Sequence, residues 1–162
     1  MHNPFFIQRI LESLPKVDTD IYQTTLRIEG MLTSALDELD VLPETALGAQ
    51  DSTDAPFIPA MPSHAIDPFP FFFIPSAVAK VLHCQAPGEA AIKGAIRKAG
   101  FKATRSHTKP GTIKTNASWE MVWEVMREWV RQKAPLKGAG LSEKQSGYKI
   151  LQLARKLSLI HI

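Results

Sequence analysis

The stretch PGEAAIKGAIRKAGFKATRSHTKPGTIKTNASWEMVWEVMREWV, residues 87–130, decides the fold class. Pro87 can open a helix in which Ile92, Ala95, Ile96 and Ala99 recur at intervals of three and four, and Gly100 can stop it as a left-handed C-terminal residue. Residues 101–107 and 112–115 then read as two short strands. The turn between them, Thr108 to Gly111, contains a proline and a glycine that preset its dihedrals, so the pair is expected to be a hairpin. A third helix follows, capped by Asn116 or Ser118. Trp119, Val122, Trp123, Met126, Trp129 and Val130 line one of its faces, and the three tryptophans are expected to pack inside.

Working outward, Pro75 or Ser76 can open an earlier helix through Val78, Ala79 and Leu82. Helix, helix, hairpin, helix is a winged-helix-like order, and residues 69–134 are predicted to form one such lobe. Upstream, Asn3 and Pro4 make a cap and first turn for a short helix carrying Phe6, Ile7, Ile10, Leu11 and Leu14, which ends before Pro15. A second helix fits residues 23–39, with Leu32, Ala35, Leu36 and Leu39 as its apolar stripe and Asp37, Glu38 and Asp40 facing water. This helix pair, residues 1–42, is separated from the lobe by a proline-rich linker, residues 43–68. Residues 135–156 read as a Gly-containing break and a basic C-terminal helix whose packing partner the pattern does not name. The fold class is therefore α+β and mainly helical.

Charge divides the chain near Phe71. Before it stand three Lys or Arg against eleven Asp or Glu; after it stand sixteen against five. A basic half of this kind suits a polyanion, because each cation placed on a phosphate releases condensed counterions. The expected RNA contacts are Lys93, Arg97 and Lys98 on the second helix of the lobe, Lys102, Arg105, His107, Lys109 and Lys114 on or beside the hairpin, and Arg127 and Arg131 on the third helix. For His107 the alternative is a side chain that fixes the hairpin by hydrogen bonding; for Arg127 it is pairing with Glu124 or Glu128 along the helix. One cysteine, Cys84, leaves no internal disulfide and no four-cysteine zinc site. The longest apolar run, Phe69 to Pro75, is far short of the roughly 20 residues that cross a bilayer, so no membrane partner is expected.

Five short motifs stand in order: Phe72-Phe73-Ile74-Pro75-Ser76; Ala95-Ile96-Arg97-Lys98-Ala99-Gly100-Phe101; Arg105-Ser106-His107; Ile113-Lys114-Thr115-Asn116-Ala117; and Trp123-Glu124-Val125-Met126-Arg127-Glu128-Trp129. Together they resemble the C-terminal region of the eukaryotic and archaeal tRNA (guanine-26, N2) dimethyltransferases, with an aromatic lead-in, a helix ending AGF, an S-SH strand, a KTDAP signature and a W-IMR-W helix. Residues 1–7 and 25–32 are similar to earlier segments of the same family. The clearest departure is Asn116-Ala117-Ser118 where the family has Asp-Ala-Pro, which keeps a helix cap and leaves any further duty of the aspartate open.

The resemblance implies an S-adenosylmethionine-dependent tRNA methyltransferase, in the nucleus or mitochondrion, whose cofactor-binding domain lies upstream of these residues. No Gly-rich strand-to-helix turn occurs in the chain, so the fragment by itself is expected to bind no cofactor and to be inactive. Its expected task is to grip tRNA for that missing domain, as partner to both. Asp67-Pro68-Phe69-Pro70 looks like an amine-orienting catalytic loop, but a proline-rich linker precedes it where a buried strand should, and it reads instead as a lead-in packing on the basic lobe. His83 and Cys84 have no partner pair at metal-ligand spacing and read as helix-end residues. No catalytic or metal residue is assigned. The alternative reading is a stand-alone winged-helix nucleic-acid binder, and a third is an interaction domain whose acidic half docks on its basic half. Leu157 to Ile162 matches the translation of a transposase sequencing adapter, so these six residues are expected to be foreign to the protein unless a genomic exon encodes them.

Overall fold

Two helix stops of the same kind shape the chain, one just before the segment 87–130 and one within it. The helix before it, α3 (Pro75–Val81), ends with the His83 N–H on the Lys80 carbonyl (3.2 Å) and the Cys84 N–H on the Ala79 carbonyl (3.1 Å). The next, α4 (Glu89–Lys98), ends with the Gly100 N–H on Arg97 (2.9 Å) and the Phe101 N–H on Ile96 (3.2 Å). Each is a Schellman stop, and each needs a left-handed residue: Gly100 at φ +90° and His83 at φ +53°. Glycine accepts that conformation without strain; histidine does not.

The computed structural model describes residues 4–41, 69, 71–134 and 141–153. Within them the remaining elements are α1 (Pro4–Ser13), α2 (Thr25–Asp37) with a 3-10 turn over Glu38–Val41, β1 (Phe72–Phe73), β2 (Ala103–Arg105), β3 (Ile113–Thr115), α5 (Trp119–Gln132) and α6 (Ser146–Gln152). The mixed, mainly helical class is as expected. The proposed cap Asn3, the linker 43–68, the break after Ala134 and the suspect tail 157–162 lie outside the described residues.

The sheet has three strands, ordered β1-β3-β2 and antiparallel throughout, so the expected hairpin forms, turning at Gly111 with φ +74°. It is not a two-stranded wing, because β1 pairs with the other edge of β3, matching Phe72 with Lys114 and Phe73 with Ile113. The aromatic lead-in supplies that missed strand. Cross-strand partners share a face. One face turns Phe73, Ile113 and Ala103 into a core with Val78, Leu82, Ile92, Ile96, Val122 and Met126. Each fully buried aliphatic side chain there contributes about 1.5–3 kcal/mol. The other face carries Phe72, Lys114 and Thr104.

Helix α5 is capped by Ser118, whose hydroxyl accepts from the Met121 N–H at 3.3 Å. Asn116 has a different duty: its Oδ1 accepts the Lys102 N–H at 2.8 Å, while Thr115 Oγ1 donates to the Lys102 carbonyl at 2.6 Å. The expected apolar stripe is buried at Val122, Met126 and Val130, but the tryptophans depart from it. Trp123 and Trp129 are half-buried, and Trp119, on the first turn, is 57% exposed. The opposite face of α5 is buried as well, at Glu124, Arg127 and Glu128. The C-terminal helix α6 meets this face, so α5 is the packing partner the sequence pattern did not name: Arg127 Nη1 donates to the Ile150 carbonyl at 3.3 Å. A Cβ on Gly147 would stand 2.2 Å from the Val81 carbonyl oxygen, so only glycine lets α6 approach the end of α3 this closely.

Candidate nucleic-acid interface

The expected cations fall into three groups. The first gathers where α4 meets β2. Glu89 Oε1 takes Lys93 Nζ at 2.6 Å and Arg105 Nε at 2.5 Å, and Arg97 donates through Nε (3.1 Å) and Nη2 (2.7 Å) to the Ala103 carbonyl. The hydrogen bond from Arg105 holds the Glu89 carboxyl below its usual range, with slight burial opposing and Lys93 helping. Lys93 is half-buried in this arrangement, whereas Arg97 and Arg105 keep exposed outer surfaces. Lys98 and Lys102 extend the same rim past the end of α4, and Lys109 stands on the hairpin turn; all three are exposed.

The second group behaves otherwise. Lys114, expected at the surface, is buried, and His107 is half-buried. Both are drawn to Glu38, which the helical pattern placed in water and which is instead only 3% exposed. Its Oε1 accepts from the His107 backbone N–H and sits 2.9 Å from His107 Nδ1; its Oε2 lies 3.6 Å from Lys114 Nζ. Burial on its own would raise this carboxyl. The hydrogen bonds from the His107 ring and backbone and from the Ser106 hydroxyl outweigh it and hold the group below the ordinary carboxylate value. The periodicity of α2 ends where the 3-10 turn begins, so Glu38 is rotated off the water face and onto the back of the sheet. Of the two readings of His107, its observed contact is the one that fixes the hairpin.

The third group lies on α5. Arg127 is buried and paired with Glu124, so the helix-pairing alternative holds for it, and burial lowers its guanidinium pKa. Arg131 is more open and pairs with Glu128 at 2.5 Å. These two are therefore tied up along α5.

Among the described residues no three His, Cys, Asp or Glu side chains are grouped to hold a metal, and no helix is long and apolar enough to cross a membrane. His83 and Cys84 serve the end of α3, and burial raises the Cys84 thiol. For S-adenosylmethionine the fit is poor. Among the described residues, strands of two or three residues paired only antiparallel offer no crevice at the carboxyl ends of parallel strands, where a nucleotide cofactor would sit.

Comparison with known proteins matches residues 60–127 to the family model for N2,N2-dimethylguanosine tRNA methyltransferase. A tRNA (guanine(26)-N(2))-dimethyltransferase of Schizosaccharomyces pombe is 30% identical over 94% of this chain and 23% of its own length. The mitochondrial enzyme of that name from Saccharomyces cerevisiae is 30% identical over 93% of this chain and 22% of its own. The Homo sapiens enzyme is 24% identical over 97% and 19% respectively. The chain thus spans about a fifth of the length of the curated relatives it matches. No solved structure matches it.

Proposed function

The chain belongs to the tRNA (guanine(26)-N(2))-dimethyltransferase family, and from that premise we propose that it is the C-terminal tRNA-binding portion of such an enzyme. In this reading it positions tRNA, in nucleus or mitochondrion, so that an S-adenosylmethionine-binding domain upstream can methylate a guanine N2. The one observation that most supports the reading is the exposed rim of Arg97, Lys98, Lys102, Arg105 and Lys109, which runs from α4 onto the hairpin of a strongly basic half-chain. The winged-helix comparison belongs here too: α3, α4, the hairpin and α5 follow that order, with the rim where a wing would meet a backbone. So does the division at residues 43–68 into an acidic helix pair and a basic lobe.

Binding of the 162-residue chain to unmodified tRNA and to duplex DNA, titrated at matched salt, tests the proposal. Tighter binding to tRNA with a steep salt dependence is the expected result. Preference for the DNA duplex would favour a stand-alone winged-helix binder instead, and methyl transfer to tRNA by this chain alone would contradict the positioning role.

A further inference from the structure

Resting on that reading and sharpening it, we infer that Trp119 forms a stacking site for an unpaired RNA base at the N-terminal end of α5. The indole is 57% exposed, although the helical period puts it on the core face. It is nevertheless fixed from beneath: its ring centroid lies 5.9 Å from that of the buried Phe73, tilted by 58°, and 6.5 Å from that of Trp123. A large aromatic plane held still at the surface is what a base needs to stack on, because neither partner then has to be ordered on binding. Phe71, two residues before Phe73, is 84% exposed as well.

The rim of this plane has the polar chemistry of a nucleotide site. Asn116 turns its Oδ1 to the Lys102 N–H, which leaves its NH2 group to donate to a base edge. Ser118 accepts from the Met121 N–H and keeps its own proton to donate. Lys102, an exposed residue, is bound through its backbone on both sides to the same turn, at Thr115 and Asn116. Although Glu120 stands in the same turn, the strongly basic balance of this half of the chain favours a nucleic acid as the occupant over an apolar protein surface. Stacking does not discriminate strongly among bases, so the site takes an unpaired nucleotide in a loop or bulge, and a base inside a helix is excluded because its faces are already covered.

The test compares the wild-type chain with Trp119→Ala, Trp119→Phe and Asn116→Asp, using a short oligouridylate, an RNA duplex of equal length and tRNA. Trp119→Ala should lower affinity for the single strand about tenfold, leave duplex binding unchanged and keep the salt slope, since no phosphate contact is lost. Trp119→Phe should keep most of the affinity yet lose most of the indole quenching seen when the wild type binds the single strand. Asn116→Asp, which retains the acceptor for Lys102, should weaken single-strand binding by losing the donor and adding a negative charge. Wild-type affinity in Trp119→Ala, or equal loss of single-strand and duplex binding, would overturn the stacking site while leaving the tRNA reading intact. Absence of salt-dependent RNA binding by the wild type would overturn both. If Trp119→Ala melts early, quenching in Trp119→Phe decides: quenching unchanged from the wild type rules the site out.

Discussion

At the scale of single residues, Glu38 has the largest leverage. Replacing it with Ala removes the buried carboxylate that Lys114 and the His107 N–H both face, and should destabilise the chain by about 3 kcal/mol, read from urea unfolding followed by tryptophan fluorescence. Glu38→Gln should lose less, because its carbonyl can still accept from His107. The same carboxyl sets an acid limit. Its folded-state pKa is depressed, so its contribution is present above the ordinary 4.5 and is lost as pH falls through that value and on through the folded one. The gap in urea midpoint between wild type and Glu38→Gln should therefore narrow as pH falls from neutral through 4.5 and below. Little of this was legible in the sequence. Glu38 and His107 are 69 positions apart, and a helical wheel credits an acidic residue at the end of an amphipathic helix to water. Local backbone chemistry was far easier to read: Gly100 and Gly111 stand where chain reversal needs a positive φ, and Ser118 caps as one of two candidates. The converse case is His83, a side chain in a left-handed position, where His83→Gly should raise stability by about 1 kcal/mol in the same assay.

At the scale of elements, period and punctuation predicted α3, α4, the hairpin and α5 well, because each carries its own core stripe and its own stop. They missed β1, since two residues are too few for any alternation to register and the strand exists only because β3 has an edge to pair. They also missed the second buried face of α5. Glu124, Arg127 and Glu128 look like a solvated surface in the sequence, yet all three are buried, and α6 meets that face at Arg127. That arrival depends on a close approach at Gly147. Gly147→Ala should push α6 off the end of α3, with a loss of about 1–3 kcal/mol and earlier proteolytic cleavage between α5 and α6, while the circular dichroism of the remaining helices is kept.

At the scale of the whole molecule, charge asymmetry was the most legible property and the distribution of those charges the least. Of ten cations expected to meet RNA, Lys114 and Arg127 serve the interior, and Lys93 and Arg131 are committed to carboxylates of their own helices. Composition counts charges without regard to partners, so it could not separate these from the rim. The separation has a measurable form. Reversing Lys98 and Lys109 together should flatten the slope of log affinity for tRNA against log salt by roughly two, whereas Lys114→Ala should lower the melting temperature and leave that slope in place. Glu38 and Phe72 meet the same residue, one as the ion partner of Lys114 and the other as its neighbour across the strands. The chain that leaves the first and returns at the second therefore begins and finishes at one anchorage.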